Sequence, residues 1–400
     1  MFKPKPGARI ELHVLKSHAA SRLNRDGMDR PKTMHFGGCR RLRISSQSEK
    51  YSIRHSEIFS QLLDHANVKY GAVRMIRTRH AISQIQEKLE EKIRSAGEDP
   101  AEYRDIIKER LQSFKKIFSK KRSEKQEQDD TTQLVAFSMA EIDHIVEIIY
   151  KLDDKGRINI GDVEQVVKDV RSERTSLGPL SVELQLFGRF TTAFHYLKNI
   201  DPPLSLNHGF TIHESRIEWD YWTAVDDLNR LAHKQDSGHL DSRAFGAGVF
   251  YHYYCLDVPL LSRNIHGAFT NLDEPQLVEL TQDVIAAFLY AACCRNPVGA
   301  QTGHANYNLP GCAYMTYGNA FPYSADDAFE QPVQATGKGY FHEGRKALQA
   351  WMETRRKRYG IFSGFEQGMG LGTLESDLQT MIESTVQEAT PAIRSAFLEE

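Results

Sequence analysis

The sequence predicts an α+β fold, in which strands from distant parts of the 400-residue chain form one sheet that carries two large insertions. Helical periodicity dominates 81–175, and a polar excursion with several aromatic residues occupies 200–240. Outside these two segments, strand-like alternation of apolar and polar residues is found at 8–16, 39–46, 181–187, 245–256 and 312–318. The length fits either one elaborated domain or about two to three domain-sized units.

The first predicted strand covers 8–16, where Ile10, Leu12 and Val14 alternate with other residues as in a half-buried strand. A polar, irregular stretch follows over 17–35. This stretch is longer than an ordinary turn, and long ordered loops usually carry function.

A second strand with an arginine-rich face is predicted directly after this loop. Leu42 and Ile44 alternate there with arginines, so one face of the strand is apolar and the other basic. Ser45 or Ser46 is then placed to cap a helix over 47–65, because a serine hydroxyl accepts from the first unpaired N–H groups of a helix.

Most of the remaining elements are helical. A charged linker over 119–132 contains few apolar residues and is predicted to be disordered. A loop rich in Gly, Asn and Pro is predicted over 296–311. The predicted helices cover 81–95, 101–121, 139–152, 161–173, 274–294 and 341–358.

The charge of the chain is distributed unevenly. The sequence has 51 Lys and Arg against 53 Asp and Glu, yet 16–54 has ten basic and three acidic residues. The segment 104–125 has nine basic and three acidic residues. The first segment predicts a polyanion-binding surface on an otherwise acidic protein. The second is either part of such a surface or a solvated helix face.

Composition also indicates the compartment. No run of 18 apolar residues occurs, and the N-terminal residues lack the apolar segment of a signal peptide, so neither a membrane span nor secretion is expected. The five Cys are scattered and odd in number, which does not suggest a disulfide framework. We therefore expect a cytoplasmic protein.

The sequence contains none of the usual motifs for metal binding or nucleophilic catalysis. There is no Cys-x-x-Cys pair, no His-Glu-x-x-His and no Gly-x-Ser-x-Gly. His252 and Cys255 lie in a predicted apolar strand, where we expect both to face core or sheet neighbours. The adjacent Asp226 and Asp227 are expected to be solvated, with a divalent ion as the alternative. No metal and no cofactor are expected.

Residue types that bind phosphate are concentrated after the basic loop. Arginine forks, hydroxyl groups and the free amides of a helix start recognise phosphate without reading bases. The side chains concerned are Arg40, Arg41, Arg43, Ser45, Ser46, Gln47, Lys50 and Arg54.

The excursion over 200–240 adds aromatic residues in a polar setting. Exposed aromatic rings beside a basic groove can stack on the bases of a single strand. The rings are those of Phe210, Trp219, Tyr221 and Trp222. For Trp219 we favour a place in the core.

Several short motifs resemble the CasC family, which is the CRISPR-RNA-binding backbone subunit of type I-E Cascade. The Arg-Ile-Ser-Ser-Gln-Ser run and its spacing from Leu-Asn-Arg-Asp are the most specific of them. The resemblance extends discontinuously from about residue 8 to 335. The motifs are His13-Val-Leu, Leu23-Asn-Arg-Asp26, Phe36-Gly-Gly38, Arg40-Arg-x-Arg-Ile-Ser-Ser-Gln-Ser48, Gly188-Arg189 and Thr223-Ala-Val-Asp-Asp-Leu228.

The resemblance implies a right-hand architecture. Its palm is a modified RNA-recognition-motif (ferredoxin-like) sheet, its fingers are a helical insertion, and its thumb is a hairpin. The implied segments are 8–64 (palm, first part, with the basic loop), 65–180 (fingers), 181–199 (palm strand and loop), 200–243 (thumb), 244–335 (palm, second part) and 336–400 (C-terminal helices).

The resemblance also implies a function. Several copies would line up head to tail along a CRISPR guide RNA and displace every sixth nucleotide, so that the others pair with target DNA. The other partners would be the large, small, guide-end-capping and guide-processing Cascade subunits. The implied role is structural, with no catalytic residue of its own.

Guide-phosphate contacts are implied for Arg25, Lys32, Ser45, Gln47, Lys50 and Arg54. Phe190 would stack beneath the displaced base, and Trp222 and Thr223 would form the thumb wedge. Cys39 and Glu49 depart from the family pattern near the helix start. The whole predicted RNA-binding set is Asn24, Arg25, Lys32, Arg40, Arg41, Arg43, Ser45, Ser46, Gln47, Lys50, Arg54, Phe190, Trp222 and Thr223.

Two alternatives stay open at this point. Asp26 matches an acid that cuts target RNA in type III relatives, so a metal-dependent ribonuclease is the first. The structural alternative for Asp26 is that it orders the loop, by pairing with Arg25 or by accepting hydrogen bonds from turn amides. The second alternative is a general single-strand binder that acts without a guide.

Overall fold

A computed structural model describes residues 7–109, 111, 134–152, 158–160, 180–191, 197, 199–225, 237–297, 299–359, 364–372 and 374–397. The contacts between residues divide the chain into two compact units. The first unit contains Met1–Gln61, Leu204–Pro259 and Gln282–Ile393. The second contains Leu62–Pro203, Leu260–Thr281 and Arg394–Glu400.

The described strands are β1 (Arg9–Ser21), β2 (Thr33–Phe36), β3 (Cys39–Ile44), β4 (Met75–Thr78), β5 (Val135–Ser138), β6 (Tyr150–Leu152), β7 (Ile158–Ile160), β8 (Leu204–Leu206), β9 (Gly209–Thr211), β10 (Glu218–Val225), β11 (Ser237–Asp257), β12 (Cys312–Tyr317) and β13 (Phe365–Met369).

The described helices are α1 (Ser46–Arg54), α2 (Glu57–Tyr70), α3 (Ala81–Ser95), α4 (Met139–Ile149), α5 (Val182–Phe187), α6 (Val258–Ala268), α7 (Glu274–Cys294), α8 (Gln301–His304), α9 (Gly339–Tyr359) and α10 (Leu378–Ser395). Short 3₁₀ turns occur at Pro100–Tyr103 and Asp326–Phe329.

Nine of the described strands form one sheet in the first unit. Its central order is β13-β12-β1-β11-β9-β3-β2, while β8 and β10 also pair with β11. Every pairing in the sheet is antiparallel. Strand β1 lies between β11 and β12, which come from much later in the chain. Leu12 is opposite Tyr254 on one side and Met315 on the other. The α+β class predicted from the sequence is confirmed.

Strand β1 is covered on both faces, which corrects the expectation of a half-buried strand. Glu11 and His13 are as deeply buried as the apolar residues that alternate with them. The Glu11 carboxylate accepts from Tyr253 Oη at 2.6 Å and from Asn319 Nδ2 at 2.6 Å, although burial still raises its pKa. Buried polar groups of this kind need such partners, and alternation in the sequence does not reveal them.

The core of the second unit is helical. Helix α3 turns one apolar face inward, at Ile82, Ile85, Leu89 and Ile93, and packs against α4 and β5. This face follows the spacing of three and four residues that an amphipathic helix requires. The prediction of helices over 81–95 and 139–152 is confirmed for α3 and for α4, which ends at Ile149.

Three other predicted elements are confirmed with small shifts at their ends. Helix α7 coincides with the predicted 274–294, β12 occupies most of 312–318, and β11 includes all of 245–256. By length and composition α7 could also cross a membrane, but 67% of its most apolar window is buried inside the protein, as in a core helix. The predicted helix over 161–173 and the linker over 119–132 lie outside the described residues.

Two predictions about local structure are wrong. The segment 181–187 forms helix α5 rather than a strand. Its polar residues are buried as well as its apolar ones, and Glu183 accepts the Met75 N–H at 2.6 Å, so the alternation does not mark a solvent face. The helix predicted over 47–65 is interrupted at His55 and resumes as α2, where Ser56 Oγ accepts from the Phe59 N–H.

The stretch 17–35 is also more regular than its composition indicates. Strand β1 continues to Ser21, and β2 begins at Thr33. The irregular part is therefore the shorter segment 22–32, which we call the basic loop.

Candidate nucleic-acid interface

Helix α1 begins beside the basic loop and is capped by Ser45. The Ser45 hydroxyl accepts the Ser48 N–H at 3.3 Å, which confirms one of the two predicted caps. The Ser45 N–H donates to Asn24 Oδ1 at 3.0 Å. The Ser46 N–H donates to His208 Nδ1 at 2.9 Å. The start of the helix is therefore held from two sides by other parts of the chain.

One face of α1 combines an amide with two cations. Gln47, Lys50 and Arg54 are spaced three and four residues apart, so they lie on the same side of the helix. Gln47 is exposed, and Lys50 and Arg54 are half-buried. We call these three side chains the α1 surface. Cations and amides near a helix start suit a phosphate, which also benefits from the positive end of the helix dipole.

The opposite face of α1 is anchored in the core through Glu49. Its carboxylate lies 3.2 Å from His252 Nδ1 and accepts from Tyr254 Oη at 3.4 Å. Burial by itself raises the pKa of Glu49, but the interactions with His252, Lys16 and Tyr254 together outweigh burial and keep this pKa below its usual value. Glu49 therefore does not face the solvent beside the α1 surface, and its departure from the family pattern concerns the support of the helix.

Two further cations lie next to the start of α1. The Arg43 N–H donates to the Lys32 carbonyl at 2.8 Å, which brings β3 and the end of the basic loop together. Burial lowers the pKa of His208, and the positive charges of Arg43 and Lys32 lower it further. A neutral His208 can accept the Ser46 N–H through Nδ1. Sequence reasoning missed His208, because no motif surrounds it.

The basic loop is ordered by its own ion pairs. Asp26 accepts from the Arg30 N–H at 3.0 Å and from Arg30 Nη2 at 3.1 Å, and these bonds keep the pKa of Asp26 below its usual value. Arg25 Nη1 donates to Asp29 Oδ1 at 2.5 Å. The predicted loop-ordering role of Asp26 is confirmed in the form of accepted turn amides, from Met28 and Arg30, while its ion pair is with Arg30 rather than Arg25.

A cleft of about 450 Å³ opens beside Arg25. A Cβ atom at Gly299 would lie 2.0 Å from the Arg22 carbonyl oxygen, so only glycine lets the 296–311 segment approach the loop this closely. The cleft is lined by Leu23, Asn24, Arg25, Asp26, Gly27, Asp29 and Gly299. Asn24 and Arg25 of the predicted set are thus brought together here.

Arg41 is wrongly assigned to the RNA-binding set. Its side chain is fully buried, and its guanidinium donates to the carbonyl oxygens of Thr211 at 2.9 Å, Phe329 at 2.9 Å and Phe36 at 3.2 Å. All of its nitrogens are therefore engaged inside the protein. Strand alternation predicts a shared basic face, but it does not reveal that the layer above β3 covers Arg41.

Arg40 lies away from the α1 surface, in a second cleft of about 500 Å³. The Arg40 carbonyl accepts the Ser215 N–H at 3.0 Å, which holds the segment before β10 against β3. The cleft is lined by Arg30, Arg40, Glu214, Ser215, Arg216, Ile217 and Trp219. We call it the arginine cleft.

The hairpin of β10 and β11 exposes aromatic rings. Trp219 is 54% exposed and Tyr221 is 74% exposed, so the core position expected for Trp219 is wrong. The hairpin is a two-stranded ribbon, and no described layer covers this face. Trp222 points to the other side, where the Arg243 guanidinium lies 4.8 Å from the centre of its ring. Thr223 is exposed.

Phe190 belongs to the second unit and is 83% exposed. The residue before it, Arg189, forms a buried double contact with the Glu141 carboxylate, at 2.7 and 2.9 Å. Arg189 also exchanges backbone hydrogen bonds with Ile200. Phe190 is therefore an exposed ring directly after a firmly held arginine.

The described residues hold no group of three or more His, Cys, Asp and Glu side chains arranged to bind a metal ion. His252 faces Glu49 and Cys255 is buried, as expected from the strand, and burial raises the pKa of Cys255 to about 12. Asp226, Asp227 and most of 104–125 lie outside the described residues.

The fold and the site together define an α+β protein with a basic, hydroxyl-bearing surface around the start of one helix. The chain belongs to the CT1975-like protein family (Cas_CT1975), which matches residues 10–394. No curated protein sequence matches it.

Solved structures share its fold. A chain described as "CRISPR RNA-guided surveillance complex, pre-nicking" has a TM-score of 0.72 and 23% identity, over 95% of this chain and 100% of that chain. A second, described as "CRISPR RNA-guided surveillance complex", has a TM-score of 0.57 and 20% identity, over 95% and 99%. The CRISPR-associated relationship implied by the sequence is confirmed at the level of the family and the fold.

Proposed function

We propose that the protein is a CasC-type backbone subunit of a type I-E CRISPR surveillance complex and binds the phosphates of the guide RNA. The observation that carries the proposal is the α1 surface, with Lys32, Arg43 and the capped helix start beside it. The CT1975-like family and the likeness to CRISPR surveillance complex chains support the same role.

The chemistry of the α1 surface fits a guide RNA whose bases must stay free to pair with another strand. Lys50, Arg54 and Gln47 can contact phosphate oxygens, which carry no sequence information, and leave the base edges free for pairing. If each copy neutralises about five phosphates, the logarithm of affinity falls with the logarithm of salt concentration with a slope of about −3 to −4.

The proposal includes the architecture and partners implied by the resemblance. The nine-stranded sheet serves as a modified RNA-recognition-motif palm, the second unit as fingers, and the β10–β11 hairpin as the thumb, with Trp222 and Thr223 at the wedge. Copies contact each other head to tail, which gives an open filament of a length set by the RNA. Displacement of every sixth nucleotide, pairing with target DNA, assembly with other Cascade subunits and a cytoplasmic location belong to the same proposal.

The proposed role is not catalytic. Asp26 already accepts hydrogen bonds from the Arg30 N–H and the Arg30 guanidinium, which supports a loop-ordering carboxylate rather than a metal ligand. A target-cutting role would appear as Mg²⁺-dependent cleavage of complementary RNA that disappears in Asp26→Ala.

The test uses the chain co-expressed with its complex and guide. Lys50→Ala combined with Arg54→Ala removes both cations of the α1 surface, so we expect at least a tenfold loss of co-purified guide RNA at about 0.2 M salt. The matched control is Lys357→Ala combined with Arg358→Ala, which removes the same charge from an exposed part of α9. Unchanged guide RNA in the first variant, with a folded protein, contradicts the assignment.

A further inference from the structure

The arginine cleft lies in the first unit and is held by internal hydrogen bonds. The guide contacts proposed above do not use it. Ser215 forms part of its floor and is buried, with its hydroxyl donating to Thr211 Oγ1 at 2.8 Å and its N–H to the Arg40 carbonyl. The volume of about 500 Å³ lies within the range of about 300–1,000 Å³ that is usual for small-ligand sites.

The charge of the cleft favours an anion. Arg30, Arg40 and Arg216 line it against a single acid, Glu214. Arg30 is paired with Asp26, but among the described residues no side chain accepts a hydrogen bond from Arg40 or Arg216. Two exposed guanidinium groups without a carboxylate partner are typical of a phosphate-binding surface.

Two exposed aromatic rings of β10 lie at the arginine cleft and next to it. Trp219 lines the cleft, and Tyr221 lies two residues further along β10 on the same face, about 6.6 Å away along the strand. Both rings are more than half exposed. Exposed rings beside arginines stack on unpaired bases without selecting a sequence.

The basic loop contributes different residues to the two clefts. Asn24, Arg25 and Asp26 line the first cleft, whereas Arg30, four residues after Asp26, lines the arginine cleft. The Asp26–Arg30 ion pair therefore joins a residue of the first cleft to a residue of the arginine cleft. None of the α1 side chains lines the arginine cleft, so a guide RNA bound at the α1 surface would leave this cleft available for a second strand.

We propose that the arginine cleft binds single-stranded target DNA, with a phosphate on Arg40 and Arg216 and an unpaired base stacked on Trp219. This inference rests on the proposed function, because it assigns the second strand of the same complex to a separate site.

The test measures binding of a single-stranded DNA complementary to the guide by the assembled, guide-loaded complex. Trp219→Ala is expected to weaken binding by at least about fivefold, the lower limit for the loss of one stacked base. Trp219→Phe keeps a ring and is expected to restore most of the affinity. Arg40→Ala combined with Arg216→Ala is expected to make the salt slope about 1.4 less steep, as for two phosphate contacts to a single strand.

The acid in the cleft provides the matched control. Glu214→Gln removes the one acid among the described residues that line the cleft, so target binding is expected to strengthen or stay equal. All variants should retain the guide RNA at the wild-type level. None of these side chains belongs to the α1 surface, and the proposal moves Arg40 from the guide contacts predicted from the sequence to the arginine cleft.

Three outcomes would overturn the inference. Equal target affinity in Trp219→Ala and in the double arginine variant shows that no strand occupies the cleft. Loss of guide RNA in these variants assigns the cleft to the guide. Shorter assemblies with unchanged target affinity per site assign it to a contact between copies. Failure of the proposed function is separate, because the wild-type chain would then co-purify with no guide RNA.

Discussion

The α1 surface and the arginine cleft both present cations to solvent, but the protein supports them differently. Helix α1 is fixed by Ser45 at its start and by the buried Glu49 carboxylate on its inner face. The aromatic side of the arginine cleft lies on the exposed ribbon of β10 and β11. The comparison teaches that the core preorganises the cations of the α1 surface, whereas the exposed rings of the hairpin are accessible and cost little to alter.

The largest expected effect on stability comes from Glu49→Ala. Removing a buried carboxylate leaves the buried Lys16 without its opposing charge and His252 Nδ1 without its carboxylate neighbour, so the free energy of unfolding should fall by about 3–5 kcal/mol. Urea unfolding followed by circular dichroism measures this loss. Glu353→Ala, at an exposed site on α9, is the control and should change stability by less than about 0.5 kcal/mol.

The same carboxylate predicts a pH dependence. Its pKa is lower in the folded protein than the ordinary 4.5, so its stabilising contribution is present above pH 4.5 and is lost as the pH falls towards the folded-state pKa. Glu49→Ala should therefore differ less from wild type in acid than at neutral pH. An equal difference at both pH values would show that the carboxylate acts through packing alone.

A smaller effect is expected at the helix cap. Ser45→Ala removes the acceptor for the Ser48 N–H and should cost about 1 kcal/mol, with a parallel decrease in guide binding because the α1 surface is less ordered. Ser46→Ala is the matched control, since the Ser46 hydroxyl is not the cap, and should cost less than about 0.5 kcal/mol. Urea unfolding measures both variants. Equal losses would mean that the cap is not specific to Ser45.

The smallest effect on stability is expected at Tyr221. This ring is 74% exposed, so Tyr221→Ala should change the free energy of unfolding by less than about 0.5 kcal/mol. A loss above 1 kcal/mol in urea unfolding would show that this face of the hairpin is packed, and the contrast with the core-supported α1 surface would disappear.

Sequence reasoning succeeded best where a pattern was long or local. Helix α7 and strand β11 have enough residues for their periodicity to be clear, and the Ser45 cap depends on neighbours in the chain. It failed at 181–187, because buried polar residues in α5 imitate the alternation of a strand.

Within the candidate site, the residue types were predictable and their individual exposure was not. The sequence placed Arg40, Arg41 and Arg43 in one strand, yet Arg41 is fully buried and Arg40 lines a different cleft from the α1 surface. His208 and His252 reach α1, at the Ser46 N–H and the Glu49 carboxylate, through contacts that no local pattern encodes.

By itself, the sequence determined the α+β class, the concentration of basic and hydroxyl groups around the helix start, and the capped helix that carries Lys50 and Arg54. These features arise from periodicity and from neighbours in the chain. Only the tertiary structure decided which arginines reach solvent and that Trp219 is exposed. The reason is physical, since burial depends on layers contributed by distant segments, such as the carbonyl groups of Thr211 and Phe329 that bind Arg41.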